Sequence, residues 1–181
     1  ILLSGIASFL ILSFVTNSPR LYKSEFGLEG RDFVLLFALN GFAIIVGQLV
    51  NSRAIPRVGV LATTRAAATV LVAIAALIAL RTGAKLAGAA LFAVLMFAFC
   101  AAFPIVMSNL AALVIDPHRD IAGLASSVFG FFSQMTASVL VFLTLPVFAG
   151  AVTPWAIGMT AASGTVLAAL LAYRPGQGAT R

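Results

Sequence analysis

The run FVLLFALNGFAIIVGQLV (residues 33–50) is followed by the joint NSRAIPRVG (51–59) and then by VLATTRAAATVLVAIAALIAL (60–80). A helix needs about 20 predominantly apolar residues to cross the hydrocarbon of a bilayer. Two such runs on either side of a short joint carrying Asn51, Arg53, Pro56, Arg57 and Gly59 read as two antiparallel membrane helices. Their connection is held at the headgroups by its arginines.

The same pattern extends in both directions. Apolar segments are expected over residues 1–16, 33–50, 60–80, 86–115, 121–148 and 155–173, with a flexible tail at 174–181. The joints between them are polar, and residues 17–32 hold Arg20, Lys23, Glu25, Glu29, Arg31 and Asp32. Short joints predict that consecutive helices are antiparallel neighbours or near neighbours. Segments 86–115 and 121–148 exceed one perpendicular crossing, so tilt, a kink or protrusion from the bilayer would absorb the excess. Pro104 removes a helical hydrogen bond in the middle of the first of these and is the candidate kink.

Composition excludes a soluble domain. Apolar residues make up 62% of the 181 and charged residues 9%, where a soluble protein carries about 25% charged. Every spanning segment must satisfy its backbone internally, and continuous apolar runs of this length do so as helices. The chain is apolar from Ile1 onward, with neither a basic leader nor a small-residue cleavage site. It reads as a chain entered partway through a helix, so a fragment of a larger protein is expected.

The net charge of +6 would suggest nucleic acid in a soluble protein. Here the basic residues fall in joints or near helix ends, where topology and anionic headgroups explain them, so no nucleic-acid partner is expected. Arg53, Arg57, Arg65, Arg119, Arg174 and Arg181 lie on one side and Arg20, Lys23, Arg31, Arg81 and Lys85 on the other. That balance favours the tail side as cytoplasmic by a narrow margin. Cys100 is the single cysteine and reads as a small core hydrophobe.

The ionisable groups are informative by position. Glu25, Glu29, Asp32, Asp116, Asp120 and the lone His118 all lie in joints or at helix ends. Proton and cation relays in membranes use ionisable groups at depth, so a coupling group is expected from outside this chain. What lies at depth is neutral. Asn40, Gly47 and Asn51 share a face of the second segment, with Gln48 beside them. Gly123, Ser127, Gly130, Gln134 and Ser138 recur at spacings of three and four along the fifth. Ser4 and Ser8 share a face of the first, and Asn109 lies toward the end of the fourth.

Such stripes either line a cavity or hold helices together. Asn40, Gln134, Ser138 and Ser8 are the substrate-cavity candidates. Pro104, Asn109, Gly123, Ser127 and Gly130 are the packing or kink candidates. Catalytic readings fare badly: no serine and histidine fall together at depth, and HExxH, CxxC and a phosphate-cradling glycine loop are absent from the sequence. No enzyme, metal or cofactor is expected.

The joint Gly47-Gln-Leu-Val-Asn-Ser-Arg-Ala-Ile-Pro-Arg-Val-Gly59 resembles the loop motif of major facilitator superfamily transporters, in the form found in their C-terminal half. Gly47, Asn51 and Arg53 match it; residues 52–59 replace its Arg-Gly-Arg core. The stretch from Glu25 to Gly41, Asn109, the joint at 116–119, Ala122-Gly-Leu-Ala-Ser-Ser-Val-Phe-Gly130 and Gln134 look like the Bcr/CflA group of drug-resistance transporters. The resemblance spans residues 1–173 and implies an all-α, polytopic bundle of six helices forming one half of a major facilitator fold.

It further implies proton-coupled efflux of drugs or small amphipathic metabolites across a bacterial inner membrane. The first, second, fourth and fifth helices would face the cavity, and the embedded carboxylate would reside in an N-terminal half. Gly47, Asn51, Arg53, Arg57 and Gly59 would form the gating loop. Uptake by another branch of the superfamily, or a non-transporting membrane scaffold, are the alternatives.

Overall fold

The computed structural model describes residues 2–86, 88–148 and 151–173, with the side chains of residues 118 and 119 excepted. The segment 174–181, expected to be a loose tail, lies outside the described residues. Six helices form: α1 (Leu2–Phe26), α2 (Gly30–Val58), α3 (Val60–Gly83), α4 (Ala89–Ile115), α5 (Ala122–Phe148) and α6 (Val152–Ala172). A 3₁₀ turn, Asp116–Ile121, links α4 to α5. All six are long and apolar enough to cross a membrane. The chain is an all-α, polytopic membrane bundle.

The helices overrun the apolar segments read from the sequence. α1 continues ten residues past the expected end at 16, through Pro19. Pro19 has no N–H for the carbonyl of Val15, and the neighbouring Ser18 hydroxyl donates to that carbonyl at 3.1 Å. Asn17 donates its amide to the Ser13 carbonyl at 2.8 Å. Local polar side chains thus repair the ladder that proline interrupts.

In α2 the helix runs through Asn51, Arg53, Pro56 and Arg57, and the expected joint at 51–59 contracts to one residue. That residue is Gly59, at φ 85° and ψ 162°, a region essentially closed to residues with a Cβ. The 29 residues of α2 make a rod of about 44 Å at 1.5 Å per residue. Against about 30 Å of hydrocarbon, it carries its arginines beyond the apolar layer. Pro154 lies in the first turn of α6, where its missing N–H has no helical partner to lose.

Sequence neighbours are mostly not packing neighbours. The most extensive pairing is α3 with α6, followed by α1 with α5, α2 with α4 and α3 with α4. The short joints fix direction, and side-chain size then decides who packs on whom. α1 and α4 lie against one another at the centre and are the most enclosed helices. At one end of the antiparallel α3–α6 pair, Arg65 donates to the Leu170 carbonyl at 3.0 Å and to the Tyr173 carbonyl at 2.8 Å. A cation thereby satisfies carbonyls left open at the C-terminal end of α6.

These pairings have an internal symmetry. Exchanging α1 with α4, α2 with α5 and α3 with α6 turns the α1–α5 contact into α4–α2, the α3–α4 contact into α6–α1, and returns α3–α6 to itself. The register agrees. α1 runs parallel to α5, with Ser4 on Ser133 and Gly5 against Thr136. α2 runs parallel to α4, with Gly47 on Ala101 and Asn51 on Asn109. α1 and α4 are antiparallel, with Ser8 on Met107 and Tyr22 against Phe92. The chain is therefore two three-helix units of opposite orientation.

The tightest crossing is that of α2 on α4. A Cβ placed on Gly47 would come within 1.9 Å of the Ala101 carbonyl oxygen, so the backbones approach as only glycine permits. Gly47→Ala is expected to destabilise the protein by about 1–3 kcal/mol, read as a lower melting temperature in detergent. Gly41→Ala, on the same helix but with nothing within 4 Å of the added methyl, is expected to leave the melting temperature unchanged or slightly raised.

Candidate functional site

Polar side chains at membrane depth fall into two groups, those closed between helices and those left on an open face. The closed group is centred on α2 and α4. Asn51 and Asn109 are both buried and exchange reciprocal amide hydrogen bonds at 3.1 Å. Asn51 also donates to the Ser108 hydroxyl at 3.1 Å. One turn deeper, the Gln48 amide donates to the Pro104 carbonyl at 3.4 Å, which accepts the Ser108 hydroxyl at 2.8 Å as well. Two carboxamides facing each other satisfy donor and acceptor together, so the pair is neutral and fully enclosed.

Two of the cavity candidates also belong to this closed group. Asn40 is buried and donates to the Tyr22 hydroxyl at 3.5 Å. Tyr22 belongs to an aromatic stack with Phe26, Phe33 and Phe92, and Phe92 touches Trp155. The indole N–H of Trp155 donates to the Ser13 hydroxyl at 3.1 Å. Asn40 also lines a pocket of about 350 Å³ between α1, α2 and α4, whose other walls include Ile11, Phe37, Ile44 and Cys100. Ser8 is buried with its hydroxyl 3.7 Å from the Met107 sulfur.

The open group is the α5 stripe. Gly123, Ser127, Gly130, Gln134 and Ser138 are all exposed, and a Cβ added to Gly123 or Gly130 would meet nothing within 4 Å. α5 instead packs inward through Phe129, Ser133, Ala137 and Val141. Gln134 has no hydrogen-bond partner among the described residues. Ser127 returns its hydroxyl to the Gly123 carbonyl at 2.9 Å. The small-residue stripe is thus not a helix crossing within this bundle; Ser4 and Ser133, 2.6 Å apart, make the polar contact of α1 with α5.

Asn40 and Gln134 are not brought together, since α2 packs chiefly on α4 and α5 chiefly on α1. Asn51, read from the sequence as the first residue of the joint, sits inside α2. Arg53 donates to the Leu49 carbonyl of its own helix at 3.3 Å, and Arg57 is exposed. Arg65, which the sequence marked only as a charge, makes the helix-end contact instead. All five acids are exposed. Glu29 pairs with Lys23 at 2.9 Å across the α1–α2 joint, and that hydrogen bond and charge hold its carboxyl below the usual range. Among the described residues no cluster of His, Cys, Asp and Glu could hold a metal.

The pairing of Asn51 with Asn109 emerges only with the observed end of α2 at Val58, because the sequence pattern ends that helix at residue 50 and leaves Asn51 in the joint. Each lies about two turns before the end of its helix, and α2 and α4 run in the same direction. Equal depth on parallel helices is what reciprocal amides need. In a double-mutant cycle of Asn51→Ala and Asn109→Ala, the expected coupling energy is about 0.5–2 kcal/mol, read from unfolding of the protein in detergent. Additive losses would assign the two amides independent roles.

Comparison of the chain with protein-family models, with curated proteins and with solved structures finds no match. Sequence and structure by themselves establish a six-helix, multi-pass membrane bundle, which is consistent with a transporter.

Proposed function

We propose that this chain is one six-helix half of a secondary active transporter of the major facilitator type. The observation that carries the reading is the pair of three-helix units in opposite orientation. Inverted repeats are a recurrent architecture of secondary transporters, including each half of a major facilitator protein. Related but oppositely oriented units give two conformations of similar energy, open to opposite sides, which alternating access requires.

The distribution of polar groups supports the same reading. An unpaired carboxamide in hydrocarbon is costly, so Gln134 is best accommodated by water or by a second six-helix unit. Only part of α2 and α5 is enclosed within the bundle, and the uncovered face of α5 carries Ser127, Gln134 and Ser138. In this reading that face borders the substrate path, while Asn40 lies apart from it in the pocket between α1, α2 and α4. The enclosed Asn51–Asn109 pair moves with the bundle as a rigid body.

At the finer level, the resemblance to the Bcr/CflA group favours proton-coupled efflux of small amphipathic molecules across a bacterial inner membrane. In this reading the protonatable carboxylate belongs to another part of the transporter, in keeping with every acid of this chain lying in a joint or at a helix end. Gln134 would orient a polar group of the substrate, while Phe131 and Phe132, both exposed, would offer apolar surface. A non-catalytic role follows from the same reading.

Gln134→Ala in the complete transporter is expected to change resistance or uptake several-fold for some substrates, at near-normal membrane abundance. The measurement is a substrate-panel assay normalised to protein in the membrane. Losses of activity and abundance in equal proportion would favour a packing role and a scaffold.

A further inference from the structure

α2 and α3 are joined by Gly59 alone, yet they pack little on each other. They splay from that turn, and α4 floors the wedge between them. The result is a groove of about 500 Å³ that opens to the outside of the bundle. Gly47, Ala54, Ala66, Ala98 and Ala101 keep its walls low. Its surface is apolar; the one hydroxyl among its lining residues, that of Thr63, is occupied by the Gly59 carbonyl at 2.8 Å.

The internal symmetry supplies a control. Exchanging the two three-helix units carries this wedge onto the one between α5 and α6. There Phe148, the last residue of α5, is buried, and a Cβ on Gly158 would lie 2.6 Å from its ring. The aromatic ring plugs the second wedge. At the equivalent end of α2 stands Val58, 59% exposed, and the first wedge stays open.

Charge distinguishes the open wedge further. Arg57 follows the lining residue Ala54 by three positions and adjoins the lining residue Val58, which puts it on the rim of the groove. Arg53 stands one turn earlier on the same flank. Both are exposed, and neither joins an ion pair among the described residues. An apolar slot entering the membrane beneath two unpaired guanidinium groups matches a lipid with a negatively charged headgroup.

We propose that the α2–α3–α4 groove is a binding site for one anionic phospholipid, with an acyl chain in the slot and the phosphate against Arg57 and Arg53. The chain supplies contacts that the missing aromatic plug does not. The arginines supply selectivity for charge. The assignment is independent of what the protein transports.

The test uses the full protein, purified in mild detergent and equilibrated with equimolar phosphatidylglycerol and phosphatidylcholine, with retained lipid counted by native mass spectrometry. One phosphatidylglycerol is expected, preferred over phosphatidylcholine by roughly tenfold or more, since each interfacial arginine adds about 1 kcal/mol. R53Q/R57Q is expected to bring the two lipids near parity. Ala66→Phe, which fills the slot from an exposed position, is expected to lose both. In a parallel measurement, phosphatidylglycerol should raise the melting temperature of the wild-type protein and not that of R53Q/R57Q. Both arginines are exposed, so that variant is expected to fold. An unchanged lipid preference in it would overturn the assignment, as would full retention by a folded Ala66→Phe protein.

Discussion

Every polar group carried into hydrocarbon must find its partner inside the protein, and this constraint organises the bundle. It appears first at the scale of one helix. Hydroxyls of Thr64, Thr82, Thr144 and Ser163 bond back to carbonyls of the preceding turn. Ser18 does the same for the carbonyl that Pro19 abandons. At the scale of helix pairs, Asn51 finds Asn109, Asn40 finds Tyr22, Trp155 finds Ser13 and Ser4 finds Ser133. All but the Asn40–Tyr22 contact, which joins α1 to α2, draw together helices that are not adjacent in sequence. Among the described residues the buried Asn17 Oδ1 and the exposed Gln134 both lack a partner, and Gln134, on the open face of α5, points to the functional face.

Hydrocarbon supplies no hydrophobic force to press one apolar helix on another, so close packing and shape have to do so. Gly47 shows how. Its missing side chain lets α2 reach the backbone of α4, and that approach sets Asn51 at hydrogen-bonding distance from Asn109. The same geometry turns α2 away from α3, although one residue joins them. The open wedge and the tight crossing thus have a common cause in where small residues sit on α2. The two three-helix units share a plan and differ in detail: Phe148 fills one wedge, while two arginines rim the other.

The six crossings and their order were legible in the sequence because apolar run length is a direct consequence of bilayer thickness. Helix ends were not. Asn17, Ser18 and Pro19 read as a joint, as did Asn51 through Gly59, since proline and polar residues break helices in water. Within a membrane protein the interrupted bonds are repaired locally or extend into the headgroups, and helix persists. Periodicity identified the α5 stripe as one face, but spacing cannot say what covers a face. The structure turns it outward and places Ser133 at the crossing instead. Partnerships such as Arg65 with the end of α6 depend on which helices meet, and single-chain patterning does not encode that.

Transport through this bundle requires the α5 face to be open to water within the membrane. The most direct test is chemical access at position 134. A single cysteine there, in a background lacking Cys100, would be exposed in the complete protein in native membranes to a membrane-impermeant thiol reagent. Labelling at a rate near that of a cysteine in the exposed α1–α2 joint, slowed by transported substrate, is the predicted result. Failure to label from either side of the membrane, with the joint control labelled, would contradict it and leave Gln134 as a contact buried between helices.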